Sequence, residues 1–272
     1  MNNLVKRALS GAVFVAVIIG SIMWHPYAYA GVFGVIVAWS LLEFYGIIAG
    51  DQTRADIVSG VLTGVFLFAG SFFYVQKAVD AGIFLLLVPL YVAFLICRIY
   101  RRGNFSFRGA AYIIMGVVYV ALPFALCNRL VFPPPGQQYA PGILAGFFIL
   151  LWTNDTFAYL TGIVLGKHRL FERISPKKSW EGFFGGLLFT VAGSFFVQRL
   201  FPLSAGVHWT AIALVIVVFG VYGDLLESLL KRNMNMKDSG RFLPGHGGIL
   251  DRFDAVLLAA PMVYTYLALF VF

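Results

Sequence analysis

Long apolar stretches, separated by short clusters of Gly, Pro and charged residues, run the length of this chain. They cover Ala8–Trp24, Tyr27–Gly50, Ile57–Val75, Gly82–Cys97, Ala110–Val131, Gly142–Leu165, Gly182–Val197, Trp209–Leu230 and Phe253–Phe272. An α-helix needs roughly 20 apolar residues to cross the hydrocarbon core of a bilayer. The pattern therefore predicts an all-α integral membrane protein with about nine transmembrane helices. No soluble domain fits between the stretches, and no internal repeat stands out. Lys6 and Arg7 precede the first stretch, and Ala28-Tyr29-Ala30 has the form of a signal-peptidase site. The length of the first apolar run favours a signal anchor over a cleaved signal peptide.

Composition agrees with the pattern. Hydrophobic residues make up 60% of the 272 and charged residues 12%, against about 25% charged in soluble domains. Mean hydropathy is +0.87. Cys97 and Cys127 both sit in apolar runs and form no metal-ligand spacing. The net charge of +8 suits anionic headgroups and phosphate substrates, and it equally suits any protein obeying the positive-inside rule.

The charges orient the spans. With the N-terminus cytoplasmic, only Lys77, Arg129 and Arg199 of the 20 Lys and Arg fall on the opposite side. One span more or fewer near the middle would scramble that split, so the asymmetry supports both orientation and span count. The two longest charged connections, 166–181 and 231–252, are then cytoplasmic, and the chemistry should face the cytoplasm of a bacterial inner membrane. This divides the chain into residues 1–150, with about five spans and the start of the sixth, and residues 151–272, a catalytic transmembrane region carrying both loops.

The densest chemistry lies between Asp224 and Asp254. Asp224, Glu227, Ser228 and Lys231 fall at i, i+3, i+4 and i+7 of one predicted helix, hence on one face. Asp224 lies about two turns inside an apolar run, where an acid is costly unless it meets a cation or a polar cavity. An ion pair with Lys231 or a nearby base is the structural alternative. Asp251 and Asp254 share a face at the start of the last span. Carboxylates offered by two helices form an oxygen-rich set of the kind Mg2+ prefers, while helix capping is the alternative reading for that second pair. Between the helices, Pro244-Gly-His246-Gly-Gly248 leads into a helix N-terminus and is suited to holding phosphate oxygens. Lys231, Arg232, Lys237 and Arg241 add positive charge there.

Upstream, Ser175-Pro-Lys177-Lys178 precedes a predicted helix. Lysines at a helix N-terminus oppose its dipole, a hint that they serve an anionic ligand. Asn154-Asp155 lies within the sixth span, with Asp155, Tyr159 and Gly162 on one face. An intramembrane acid is a functional candidate by default, and Glu43 in the second span is another, lining the same cavity or pairing with an arginine. Gly162 to Lys167 resembles a P-loop but is one residue short and lacks the Ser/Thr after Lys, so that reading fails.

Ser228-Leu-Leu-Lys231-Arg232, Lys237-Asp238, His246 and Asp251-Arg252-Phe-Asp254, with Asn154-Asp155, Gly166-Lys167-His168 and Ser175-Pro-Lys177-Lys178 upstream, closely resemble the signature of phosphatidate cytidylyltransferases, or CDP-diglyceride synthetases. The likeness is dense from Trp152 to Asp254 and compositional before that. It implies transfer of a cytidylyl group from CTP to phosphatidic acid, giving CDP-diacylglycerol and pyrophosphate. It implies catalytic roles for Asp224, Asp251, Asp254, Lys237, Asp238 and His246. Substrate contacts would come from Asn154, Asp155, Lys167, Ser175, Lys177, Lys178, Ser228, Lys231, Arg232 and Arg252. Mg2+ at Asp224 and Asp251 is implied as cofactor, with a monovalent cation such as K+ as a second ion. The partners would be the two substrates and membrane lipids, without nucleic acid. Gly-rich spans permit a homodimer as well as packing within one subunit.

Two rivals are weaker. A CDP-alcohol phosphotransferase would follow Asp251-Arg-Phe-Asp254 with Gly-x-x-Ala-Arg, which is absent here. A cation-coupled transporter would place acids near the midplane of several spans, whereas these sit toward one end.

Overall fold

The computed structural model describes residues 3–48, 53–100, 107–134, 136–203, 208–234, 236 and 248–272. Its helices are α1 (Asn3–Trp24), α2 (Pro26–Ile47), α3 (Arg54–Val75), α4 (Leu87–Ile99), α5 (Phe107–Gly116), α6 (Leu122–Val131), α7 (Gly142–Leu165), α8 (Trp180–Leu200), α9 (Trp209–Asn233) and α10 (Leu250–Phe270). A π-helical turn, Val117–Ala121, joins α5 to α6 into one span, and a 3-10 turn, Ala81–Leu86, leads into α4. Among the described residues, eight helical segments are long and apolar enough to cross a membrane, and Leu9–Trp24 is a shorter apolar helix. The expected all-α membrane protein is what the chain forms.

Helix starts follow local chemistry. Pro26 opens α2 behind His25, where its missing N–H costs nothing. Thr53 and Asp56 close a capping box on α3. Lys231 and Arg232 lie in the last turn of α9, where cations complement the dipole.

One departure from the expected loops lies between α7 and α8. Strand β1 (Arg169–Phe171) pairs antiparallel with β2 (Ser175–Ser179). Lys177 and Lys178 are therefore strand residues rather than the start of a helix. Ser179 caps α8, accepting from Gly182 N–H at 3.1 Å. Glu181 clasps the hairpin's base, accepting from Lys167 and His168 backbone N–H and lying 2.6 Å from His168 Nδ1.

The core lies between α1, α2, α6, α7 and α10. Phe253 sits at its centre, with ring centroids 5.4 Å from Phe124, 5.7 Å from Phe14, 6.2 Å from Phe148 and 6.5 Å from Phe33. Between helices in lipid, close packing and polar contacts replace the hydrophobic drive. Gly223 shows this most clearly. A Cβ there would collide with the Asp254 carbonyl oxygen and lie 3.0 Å from Ala255 Cα, so α9 and α10 meet backbone to backbone beside Asp224 and Asp254.

Candidate active site

Several of the candidate residues converge at one end of the bundle, formed by the C-terminal ends of α2, α7 and α9 and the N-terminal ends of α1 and α10. These are the ends that alternation of span direction puts on one side.

The face of α9 splits in two. Asp224 and Ser228 turn toward the hairpin. Ser228 Oγ donates to Asp224 Oδ1 at 3.3 Å, and Lys178 forms an ion pair with Asp224 Oδ2. Glu227 and Lys231 turn toward α10. Lys231 Nζ donates to Asp251 Oδ1 at 2.6 Å and lies 3.3 Å from Glu227 Oε1. Glu227 is fully buried, and the ammonium of Lys231 supplies its counter-charge. Gly248 N–H donates to Asp251 Oδ2 at 2.9 Å, making Asp251 both an ion-pair partner and a helix cap.

On α10, Asp251, Arg252 and Asp254 open onto a cavity of about 220 Å3, whose other wall is Ser10, Gly11, Phe14 and Val15 of α1 with Trp152 and Asp155 of α7. Apart from Asp155, the wall formed by α1 and α7 is largely apolar, and the other charged groups, Asp251, Arg252 and Asp254, come from α10. Asp155, Asp224 and Asp254 are close enough to repel one another, while Lys178 and Arg252 offset that charge at Asp155.

Other predicted residues fall elsewhere. Asn154 is buried against α8, its Oδ1 2.6 Å from where a Cβ on Gly186 would lie. One residue along a helix is a rotation of about 100°, so Asp155 reaches the cavity and Asn154 does not. Tyr159 points outward and Gly162 packs on Gly182, so the expected shared face with Asp155 does not act as a unit. Lys167, Lys177 and Arg232 are exposed, and Ser175 opens β2. Lys237, Asp238, Arg241 and His246 lie outside the described residues.

Of the segment expected to hold phosphate oxygens, Pro244 to Gly247 lie outside the described residues, and the described N–H groups at the start of α10 meet protein carboxylates. Gly248 N–H goes to Asp251, and the N–H groups of Ile249 and Leu250 donate to Glu43 Oε1 and Oε2 at 3.0 and 2.8 Å. Glu43 was legible as an intramembrane acid, but its partners were not.

The donor set for a cation is oxygen only, which suits a hard divalent ion. Among the described residues, no three His, Cys, Asp or Glu close around a single point. Asp224 and Asp251 each already hold an ammonium group, Lys178 and Lys231, so both face positive charge. A pair of carboxylates is the kind of ligand set Mg2+ takes, completing its shell with waters and phosphate oxygens.

Comparison with known proteins bears on this geometry. The model of a family described as "Cytidylyltransferase family" matches residues 5–270. Proteins named phosphatidate cytidylyltransferase are 40% identical over 164 residues in Staphylococcus epidermidis, 39% over 164 in Staphylococcus aureus and 39% over 165 in Staphylococcus haemolyticus. Each alignment spans 60% of this chain and 60% of the relative's own length.

Proposed function

We propose, from the premise that this chain belongs to the cytidylyltransferase family, that it transfers a cytidylyl group from CTP to phosphatidic acid at the cytoplasmic face of the membrane. The single observation that carries this reading is the two-sided cavity. Its acids and bases suit phosphates, and its apolar wall of α1 and Trp152 suits a lipid's glycerol and acyl carbons. A soluble nucleotide and a membrane lipid need such a meeting place. The names of the relatives point to the same pair of substrates.

In the reaction, an oxygen of the phosphatidate phosphate forms a bond to the α-phosphorus of CTP. The bond from that phosphorus to the bridging oxygen breaks in line, and pyrophosphate leaves with the electron pair. Such transfers need positioning and charge neutralisation more than covalent help. Phosphatidate is ionised near neutral pH, so no general base is required. Lys178 and Lys231 sit within the acidic cluster, held by Asp224 and Asp251, and present ammonium groups to phosphate oxygens. Arg252 adds a guanidinium to the cavity, where bidentate binding of phosphate is favoured. Mg2+ at Asp224 and Asp251, with a monovalent ion such as K+ beside it, would neutralise charge on the phosphates. The acids orient the lysines, and Trp152 and Phe14 exclude water from the lipid side.

The test is pyrophosphate release by the purified full chain with CTP, phosphatidic acid and Mg2+. Release that needs all three, and that collapses in Asp251→Asn, supports the reading. Absence of release from folded wild type across several lipids sinks it.

A further inference from the structure

We propose that Glu43 is a positioning residue for the acids of α10, acting through the backbone that precedes them; this rests on the reaction assigned above. The residue in the N-cap position of α10 is Ile249, which has helical dihedrals and no capping side chain. The first N–H groups of a helix lack intrahelical acceptors and must find them elsewhere. Here the acceptor comes from α2, 206 and 207 residues away in sequence, with Glu43 taking the Ile249 and Leu250 N–H groups on its two oxygens.

The energetics make this a deliberate contact. A carboxylate within a membrane span is costly unless partnered. Two charge-assisted hydrogen bonds and the positive end of the α10 dipole supply the partner. Most spans start without such help from a distant helix. α3 uses its own Thr53 and Asp56, and α8 its own Ser179.

What distinguishes Glu43 from an ordinary cap is what it holds. Leu250 is followed directly by Asp251, whose carboxylate is bound by Lys231 and Gly248. Two residues on, Phe253 is locked among Phe14, Phe33, Phe124 and Phe148. The segment bearing Asp251 and Arg252 is thus clamped before by Glu43 and after by Phe253, and Asp254 follows the Phe253 clamp directly. Phe253 fixes the depth and rotation of α10, while Glu43 fixes where its first turn starts. Phosphate chemistry is sensitive to such placement, since a displacement of about 1 Å can cost on the order of 100-fold in rate.

The test uses the full chain in detergent as wild type, Glu43→Gln and Glu43→Asp, with steady-state kinetics alongside hydrogen–deuterium exchange of the peptide covering 248–252. Gln keeps the shape but presents one N–H group to N–H donors. The expected result for Glu43→Gln is at least tenfold faster exchange at the start of α10, at least tenfold lower kcat, and KM for CTP within threefold of wild type. Glu43→Asp, with the charge kept and the reach shortened, should fall between the two in kcat. Unchanged exchange would overturn the cap. Faster exchange with kcat within twofold of wild type would overturn the positioning role, as would a loss of kcat that only follows the folded fraction. A wild type without transfer activity sinks the reaction reading instead, and the exchange data still decide whether Glu43 holds α10.

Discussion

Two acid–base clusters stand at the same end of this bundle, and they differ in how deeply they are buried. In one, Asp56 of α3 meets Arg98 of α4 at 3.5 Å, with side chains 3% and 6% exposed. Asp56 also closes the capping box with Thr53, and Arg98 lies over the Phe94 ring. This ion pair joins α3 to α4. In the other, Asp155, Asp224, Glu227, Asp251 and Asp254 share Lys178, Lys231 and Arg252, and the surplus of negative charge opens onto a cavity. A balanced pair ties helices together. A surplus of carboxylates, held apart by fixed ammonium groups, is an arrangement that gains from an added cation and from ligands that bring their own counter-ions.

The largest expected effect separates the two clusters by kind. Asp251→Asn should lower cytidylyl transfer by roughly 100-fold or more, a loss of the size seen when one electrostatic contributor is removed. Thermal stability should fall less than in Asp56→Asn, because Lys231 keeps Glu227 and Asn keeps an acceptor for Gly248 N–H. Asp56→Asn should do the reverse. Leaving Arg98 buried without its partner costs about 3 kcal/mol or more, so folded yield should drop while activity per folded molecule holds. Melting curves beside kcat per folded molecule check both. Equal behaviour of the two variants would erase the distinction.

A second expected effect asks whether the open cluster depends on close backbone approach. Gly223→Ala places a methyl against the Asp254 carbonyl, and neither helix can yield without moving an acid. Overpacking of this sort costs about 1–3 kcal/mol, and activity should fall at least tenfold beyond that. The same change at Gly31, which has open space around it and does not line the cavity, should leave both readouts near wild type.

These contrasts were unevenly legible in the sequence. The spans could be read because apolar length is carried by the residues themselves. Helical spacing pairs Asp224 with Ser228 and Glu227 with Lys231, but the expected single face divides between the hairpin and α10. Three other things could not be read. The Glu43 cap joins α2 to α10 through backbone donors, which leave no mark in side-chain pattern. The hairpin strand Ser175–Ser179 contains Pro176 and lacks apolar alternation, so it carries no strand signal. Asp155 and Asn154 looked equivalent as intramembrane polar residues, and only the packing of Asn154 against Gly186 of α8 decides which one reaches the cavity.

The smallest expected effect on stability, and the finest division between the clusters, is at Lys178. Its ion pair with Asp224 resembles Arg98–Asp56 in chemistry, but the two side chains are 25% and 37% exposed. Partly exposed pairs contribute at most about 1 kcal/mol, so Lys178→Gln should barely shift the melting temperature. If Lys178 serves only Asp224, transfer should be equally unaffected. If it also holds a phosphate oxygen, losing one charge-assisted hydrogen bond is worth about 1.5–3 kcal/mol. That corresponds to a rise of at least tenfold in KM for CTP or for phosphatidic acid. We expect the second outcome, because β2 holds Lys178 against the acidic cluster while its neighbour Lys177 faces away and is exposed. Steady-state titration of each substrate in Lys178→Gln and Lys177→Gln checks it. A large effect at Lys177 with none at Lys178 would reverse the roles assigned to the two faces of the hairpin.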